Sequence, residues 1–256
     1  MSSAKLTASW DLDTRQYLLP KLGHDESECE DAIAVDTEAG RFAVADGATE
    51  AFDARNWAQR LAHRWVRTGS TLTAEEFRKW VAAQGRELRD SWEGLNLSWY
   101  SEEKARTGSF AAFVGLEIDL RNKNPSWQAI ALGDACLIHS RNGSLLKSFP
   151  ISRSESFNAA PVLVASDSSL HESAMQSLVV ESGSCECGDV LLLLSDAIAS
   201  WYLERLEQKD LDPDTFLRTT ENAELNRFFD DERSTGKMRN DDLAVVRIEI
   251  MSSDPI

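Results

Sequence analysis

Apolar and polar residues follow two different periods along the chain, which predict strands in some blocks and helices in others. Short apolar runs at 32–35 and 41–45 predict two strands joined by a turn at 38–40. Apolar residues at helical spacing then predict a helix over about 51–67. The sequence Thr73-Ala-Glu-Glu76 is typical of a capping box, so a second helix is predicted to begin there.

The rest of the chain likewise contains segments with the period of a strand and segments with the period of a helix. Asn142-Gly143 predicts a hairpin turn, and weak periodicity over 152–171 predicts an irregular surface segment. Blocks of strands between blocks of helices indicate sheets covered by helices, not a regular alternation of strand and helix. Further strands are predicted at 109–118, 127–132, 136–140, 145–149, 177–180, 189–195 and 243–250, and further helices near 197–208 and 213–229.

Length, composition and charge narrow the classes of protein. The chain has 256 residues, 42% of them hydrophobic, and no linker, so a single domain over 1–256 is predicted. Its net charge of −16 argues against nucleic acid or an anionic membrane as a partner. No apolar run approaches the roughly 20 residues of a membrane helix, and no signal peptide is recognisable, so a cytoplasmic protein is expected. Cys185-Glu-Cys187 lacks a second ligand pair at zinc spacing, which makes a role in metal binding unexpected.

Carboxylates stand at the ends of five predicted core strands. If these ends meet at one rim, the carboxylates stay ionised only when cations share the site. All-oxygen ligands suit Mg²⁺ or Mn²⁺, and a pair of such ions supports hydrolysis of a phosphate ester. Aspartates also favour turns and caps, which is a second explanation for each position taken alone. The carboxylates that adjoin strands are Glu30, Asp31, Asp46, Asp134, Asp196, Asp241 and Asp242.

Six short motifs in a fixed order resemble those of the metal-dependent protein phosphatases, the PPM or type-2C family. The resemblance implies an α+β fold, a four-layer α/β/β/α sandwich in which helices flank two central antiparallel sheets. The motifs span residues 30 to 246, nearly the whole chain. They are Glu30-Asp31-Ala32, Val44-Ala-Asp46-Gly47, Thr107-Gly-Ser109, Leu132-Gly-Asp134, Leu194-Ser-Asp196 and Asn240-Asp241-Asp242-Leu-Ala-Val-Val246.

The resemblance also implies roles for individual residues in a site for two metal ions. Asp46 would bridge both ions, and the Gly47 carbonyl would bind one of them. Asp196 and Asp241 would complete the coordination of the other ion. A water activated by the two ions would then attack the phosphate without a covalent phosphoenzyme.

Three more carboxylates receive supporting roles from the resemblance. Glu30 or Asp31 would hold water bound to the metal ions, and Asp134 would help to bind a third ion. The expected cofactors are thus two Mn²⁺ or Mg²⁺ ions, with a third as an option.

The sequence departs from the common family pattern where phosphate is bound. Many members carry an arginine four residues before the position of Glu30, and Glu26 stands there in this chain. His24 is a candidate to replace that arginine, as a phosphate ligand or an acid, and Arg239 is another candidate cation. An exposed loop position is the alternative for His24. These departures resemble a divergent bacterial branch of the family.

The expected function is that of a serine/threonine protein phosphatase that uses Mn²⁺ or Mg²⁺. Its partners would be a phosphorylated protein substrate and a cognate Ser/Thr kinase, and the protein would be a monomer. The segment 152–171 takes the place of the family's flap beside the site. The alternative is a weak or inactive pseudophosphatase that binds phosphoproteins as a regulatory module, which Glu26 favours and the intact aspartates oppose. A phosphatase for a small metabolite is a third possibility.

Overall fold

The computed structural model describes residues 10–69, 73–158 and 160–252. The predicted single domain over 1–256 therefore includes residues that lie outside the described ranges. Residue 159 of the predicted flap also lies outside them. The described strands are β1 (Trp10–Leu19), β2 (Asp31–Asp36), β3 (Arg41–Gly47), β4 (Phe110–Asp119), β5 (Ser126–Leu132), β6 (Cys136–Arg141), β7 (Ser144–Phe149), β8 (Val164–Ala165), β9 (Val179–Ser184), β10 (Asp189–Leu194) and β11 (Leu243–Ser252). The described helices are α1 (Ala54–Thr68), α2 (Ala74–Asp90), α3 (Trp99–Thr107), α4 (His171–Ala174), α5 (Asp196–Gln208), α6 (Pro213–Thr219) and α7 (Asn222–Ser234).

The strands form two antiparallel sheets. One sheet has the order β1-β11-β10-β6-β7, and the other has the order β2-β3-β4-β5-β9 with β8 paired to β4. Because the chain leaves one sheet at the end of β5 and enters the other at β6, the turn between these strands joins the two layers. The expected α+β sandwich of two antiparallel sheets flanked by helices is confirmed.

The central core lies between the two sheets. Phe42 and Val44 of β3 pack there with Leu191 and Leu193 of β10. The intervening Ala43 of β3 instead belongs to the cluster under α1. This period of two is what a strand buried on both faces produces, and it explains why the strands read as apolar runs.

Helices cover the outer face of each sheet. The α1 tryptophans Trp57 and Trp65 are buried against the first alanine-rich strands, whose small side chains let the helix approach. Gly115 of β4 faces the Trp65 ring, and a Cβ at that position would lie 2.5 Å from it. On the other sheet, α5 and α7 bury Trp201 and Phe229, whose rings meet edge to face.

Two local predictions, a helix cap and a hairpin turn, are confirmed. Thr73 caps α2 through a capping box with Glu76. Asn142 and Gly143 both have positive φ, at 51° and 72°, as the tight hairpin between β6 and β7 requires. No helix in the described ranges combines the length and hydropathy of a membrane crossing.

Other elements differ from the sequence prediction. β1 was not predicted, because its alternation is broken and its stability comes from pairing with β11 along its whole length. α3 was not predicted either, since it buries none of its residues and so shows no apolar stripe. The single helix predicted over 213–229 is two helices, because the backbone is extended at Thr220 and Glu221.

The segment 152–171 is more regular than predicted. It contains two short 3-10 helices, over Ser154–Asn158 and Ser168–Leu170, with β8 between them. β8 pairs with Phe110 and Ala111 at the start of β4. This pairing fixes the second half of the segment beside the sheet end where the strand-end carboxylates lie.

His171 anchors the end of this segment and gives a test of the fold. Its side chain is 1% exposed, and its Nε2 donates to the Ala165 carbonyl at 2.8 Å. Burial lowers the pKa of His171. The folded protein therefore binds the extra proton less readily than the unfolded chain, and stability is lost as the pH falls through about 6.5.

We expect His171→Gln, which keeps an N–H donor but cannot titrate, to reduce the fall in melting temperature between pH 7 and pH 5. Thermal denaturation followed by circular dichroism at several pH values measures this. His63→Gln is the matched control, because His63 is exposed on α1. Equal pH dependence in the wild-type and His171→Gln proteins would contradict the assignment.

Candidate metal centre

The strand-end carboxylates meet at one end of the two sheets, which we call the acidic rim. β2, β6 and β11 begin at this end, and β3, β5 and β10 finish there, as the strand registers require. The carboxylates that adjoin these five strands, β2, β3, β5, β10 and β11, are therefore brought to one edge of the sandwich. The residues of the acidic rim are Glu30, Asp31, Asp46, Asp134, Asp196, Asp241 and Asp242.

Three aspartates from different parts of the chain form the centre of the acidic rim. Asp46 ends β3, Asp134 lies in the turn after β5, and Asp196 begins α5. One carboxylate oxygen of each lies within 4.8 Å of those of the other two. Asp134 and Asp196 are buried, and Asp46 is partly buried. Ligand atoms this close can share one ion or a pair of ions.

The β2–β3 pair places Asp31 and Gly47 next to Asp46. Asp31 lies directly across from Asp46 in the register and is buried. The Gly47 amide donates to the Glu30 carbonyl at 3.3 Å. A Cβ on Gly47 would lie 2.9 Å from the backbone oxygens of Glu30 and Ala54, so only glycine fits there.

The β10–β11 pair brings Asp241 to Asp196. The Ser195 amide donates to the Ala244 carbonyl at 3.0 Å, and the Ala244 amide donates to Ser195 Oγ at 2.9 Å. The Arg239 guanidinium joins the two acids, because its Nη2 donates to Asp196 Oδ2 and its Nε lies 3.3 Å from Asp241 Oδ2. Asp241 is thus linked to Asp196 through a cation.

Asp242 has a different task from its neighbour Asp241. Its two carboxylate oxygens accept from the backbone amides of Lys21 and Glu30 at 2.7 and 2.8 Å. It is 4% exposed and ties the end of β1 and the start of β2 to β11. The two aspartates are adjacent in the sequence but have different partners. Asp242 accepts hydrogen bonds from backbone amides, whereas Asp241 lies beside Arg239.

Glu30 is held in place by two neighbours. Thr49 Oγ1 donates to Glu30 Oε2 at 2.6 Å, and Lys21 Nζ lies 3.4 Å from the same oxygen. Sequence reasoning missed Lys21, because no pattern along the chain relates it to the acidic rim. Its position follows only from the pairing of β1 with β11.

The electrostatics of the acidic rim disfavour several bare carboxylates together, so that protons or cations must offset their charge. Burial, together with the neighbouring charges of Asp134 and Asp241, raises the pKa of Asp46 to about 8. Burial and the charge of Asp46 raise the pKa of Asp31 well above its usual range. Asp31 Oδ2 and Asp196 Oδ1 are buried without a hydrogen-bond partner among the described residues. A hard divalent cation on this all-oxygen set would satisfy both the charge and the unpaired oxygens, so the residues fit Mg²⁺ or Mn²⁺.

His24 lies at the margin of this arrangement. Its Nδ1 is 3.9 Å from Glu28 Oε2, and its side chain is 41% exposed. Within the described residues, its ion-pair contact is with Glu28 and not with the aspartates. Glu26 lies in the same short 3-10 helix as Glu28 and is exposed. The role of His24 in phosphate binding stays a prediction.

A second group with metal-ligating atoms, His139, Cys185 and Asp189, lies at the β6–β10 pair. Arg141 contacts both Asp189 oxygens at 2.6 and 2.9 Å, and His139 Nε2 lies 2.9 Å from Oδ2. The Asp189 charge is therefore balanced by the protein itself, and the group is a buried ion-pair network.

Comparison with solved structures shows where this fold has been seen before. The catalytic domain of the serine/threonine protein phosphatase PstP, in complex with two manganese ions, matches with a TM-score of 0.60 at 15% identity, over 95% of this chain and 100% of that chain. The fold is that of the PPM phosphatases. PppA of Pseudomonas aeruginosa matches with a TM-score of 0.59 at 15% identity, over 95% of this chain and 100% of that chain.

A third structure of the PPM fold is the Ser-Thr phosphatase MsPP from Mycobacterium smegmatis. It matches with a TM-score of 0.52 at 12% identity, over 93% of this chain and 97% of that chain. No protein-family model and no curated relative matches the sequence. The resemblance to the PPM family is thus confirmed as a likeness of fold across almost the whole chain.

The acidic rim predicts that divalent cations stabilise the folded protein. We expect Mn²⁺ or Mg²⁺ at about 100 times its dissociation constant to raise the free energy of unfolding by about 2.7 kcal/mol over protein in EDTA. Asp196→Asn should remove most of this gain, because it deletes a charge from the rim. Melting temperatures with and without metal measure the effect.

Asp119→Asn is the control for this experiment, because Asp119 ends β4 at the opposite end of the sandwich and pairs with Arg121. A cation effect that is unchanged in Asp196→Asn, or equally reduced in Asp119→Asn, would contradict the site.

Proposed function

We propose that the chain is a metal-dependent protein phosphatase that uses Mn²⁺ or Mg²⁺ to hydrolyse phosphoserine and phosphothreonine. The observation that carries the proposal is the approach of the Asp46, Asp134 and Asp196 oxygens to within 4.8 Å of one another. The PPM fold supports it, since structures of this fold include Ser/Thr phosphatases, one of them in complex with manganese.

Asp46, the Gly47 carbonyl, Asp196 and Asp241 would hold the two ions, with Asp134 at a third. When bound, such ions lower the pKa of water and neutralise phosphate oxygens. Glu30 is oriented by Thr49 and Lys21, so that its carboxylate is fixed at the rim for a water molecule.

Two hydroxyls at the acidic rim, those of Ser195 and Thr49, lack the partner that would activate them as nucleophiles among the described residues. Ser195 Oγ accepts from the Ala244 amide, and Thr49 Oγ1 donates to Glu30. Neither has a histidine partner among its described contacts, and such a partner is what activates a serine. Attack by water, without a covalent intermediate, is the route that the residues support.

An apolar cavity beside the acidic rim supports a protein substrate over a small metabolite. Its volume is about 310 Å³, and its walls include Ala48, Phe52, Phe110 and Leu163, with Lys104 also lining it. Ala48 directly follows Gly47, and a Cβ placed on Gly133, the residue before Asp134, would lie 3.4 Å from the Leu163 side chain. A cavity of this size takes one large apolar side chain next to the phosphorylated residue of a peptide.

A pseudophosphatase that binds phosphoproteins without hydrolysis is the second candidate. The observation in its favour is the exposed Glu26, which puts a negative charge where the family resemblance expects a phosphate-binding arginine. The retention of Asp46, Asp196 and Asp241 at one rim favours hydrolysis. A cognate kinase, a cytoplasmic location and a monomeric state stay predictions from the sequence.

Hydrolysis of p-nitrophenyl phosphate tests the proposal. We expect turnover with Mn²⁺ or Mg²⁺, none in EDTA, and a loss of at least about 100-fold in Asp46→Asn, because even residues that only support metal ligands contribute 10–100-fold. Asp119→Asn should retain full activity. A folded wild-type protein without turnover would favour the pseudophosphatase.

Phosphopeptides test the apolar cavity. A phosphoserine flanked on both sides by leucine should have a kcat/KM about tenfold above that of one flanked by serine, since burial of a leucine is worth about 1.5–3 kcal/mol. In Leu163→Asp, the kcat/KM values for the two peptides should be about equal. Leu170→Asp, at an exposed leucine of the same segment, is the control. A ratio near one in the wild-type protein would exclude the cavity as a substrate subsite.

A further inference from the structure

Arg239 inserts its charge directly between proposed metal ligands. Its Nη2 donates to Asp196 Oδ2, and its Nε lies 3.3 Å from Asp241 Oδ2. Asp196 Oδ1, the other oxygen of the same carboxylate, is buried without a hydrogen-bond partner among the described residues. A divalent cation bound to these two carboxylates would therefore lie close to a guanidinium of the same charge sign, and the repulsion between them opposes the binding of both together.

The backbone around Arg239 is anchored while its side chain is open to solvent. Met238 before it is buried, and Arg233 Nη2 donates to the Asp241 carbonyl after it at 2.6 Å. The Asp241 amide donates to the Arg239 carbonyl at 3.1 Å. The Arg239 side chain is 51% exposed. It can therefore leave the aspartates by rotation about its own bonds, without any change in the fold.

Two other cations near the acidic rim are placed differently. Lys21 Nζ lies beside Glu30 and Thr49, and its side chain is 13% exposed. His24 lies beside Glu28. Among the described ion pairs, Arg239 is the cation that contacts Asp196 and Asp241.

We propose that Arg239 has two positions: it neutralises Asp196 and Asp241 when the metal ions are absent, and it binds the substrate phosphate when they are present. The proposal rests on the proposed metal-dependent phosphatase function. A guanidinium presents a planar fork of N–H donors that matches two phosphate oxygens. Displaced from the aspartates, it remains tethered at the same rim, where the phosphate would lie. Arg239 would thus provide the cation that Glu26 does not.

The first arm of the test measures metal binding and needs no activity. Arg239→Ala in EDTA should melt about 2–4 °C below wild type, because the acids lose their counter-charge, and saturating Mn²⁺ should remove this difference. Titration calorimetry should show Mn²⁺ bound about tenfold more tightly by Arg239→Ala, since no guanidinium competes. Arg121→Ala, which breaks an exposed Arg–Asp pair elsewhere, is the matched control.

The second arm measures phosphate binding at saturating Mn²⁺. Arg239→Ala should raise the inhibition constant of inorganic phosphate, and the KM for p-nitrophenyl phosphate, by about tenfold, with a smaller change in kcat. Arg239→Lys should recover part of the loss, because it keeps the charge but not the fork. His24→Ala tests the rival cation, and we expect it to weaken phosphate binding less than Arg239→Ala does.

The outcomes separate this proposal from the function on which it rests. If wild-type protein binds no Mn²⁺, the metal-dependent phosphatase fails, and the role of Arg239 fails with it. If wild type binds Mn²⁺ and Arg239→Ala binds it with equal affinity, only the competition is overturned. If phosphate binding is unchanged in Arg239→Ala or weakened in His24→Ala alone, the phosphate-binding role of Arg239 is overturned.

Discussion

Repulsion among carboxylates at the acidic rim is the constraint on which the rest of this structure depends. Asp31 and Asp46 face each other across one strand pair, and Asp134 and Asp196 complete a group drawn from both sheets. No packing of the apolar core removes this repulsion, because it acts between charges that the core itself brings together. Protons or cations relieve such repulsion, and the buried all-oxygen ligand set is the reason why a metal-dependent reaction is the function proposed here.

The sandwich architecture explains how residues so far apart in the chain come together. Antiparallel pairing places the start of each strand beside the end of its neighbour, so acids that follow one strand and precede the next share an edge. The turn around Asp134 carries the chain from one sheet to the other at this same edge. The acidic ends of the two sheets therefore lie over each other, and the apolar core between the sheets sets the distance between these ends.

Local sequence patterns predicted the elements that bury an apolar face. The β3 run and the capping box at Thr73 were recognisable because each follows from neighbouring residues alone. β1 was not recognisable, because it is stabilised by its pairing with β11. α3 was not recognisable either, because it buries none of its residues. The difference lies in whether an element is stabilised by its own periodicity or by contacts with distant parts of the chain.

The sequence by itself determined that carboxylates adjoin the core strands and that hard cations would suit them, because strand ends and ligand chemistry are local properties. It also separated the two periods that place helices over sheets. Only the tertiary structure decided that Asp242 binds backbone amides while Asp241 faces Arg239, and that Lys21 reaches Glu30. Those choices depend on which strands pair and on where a side chain points across the rim, and neither is encoded in the spacing of residues along the chain.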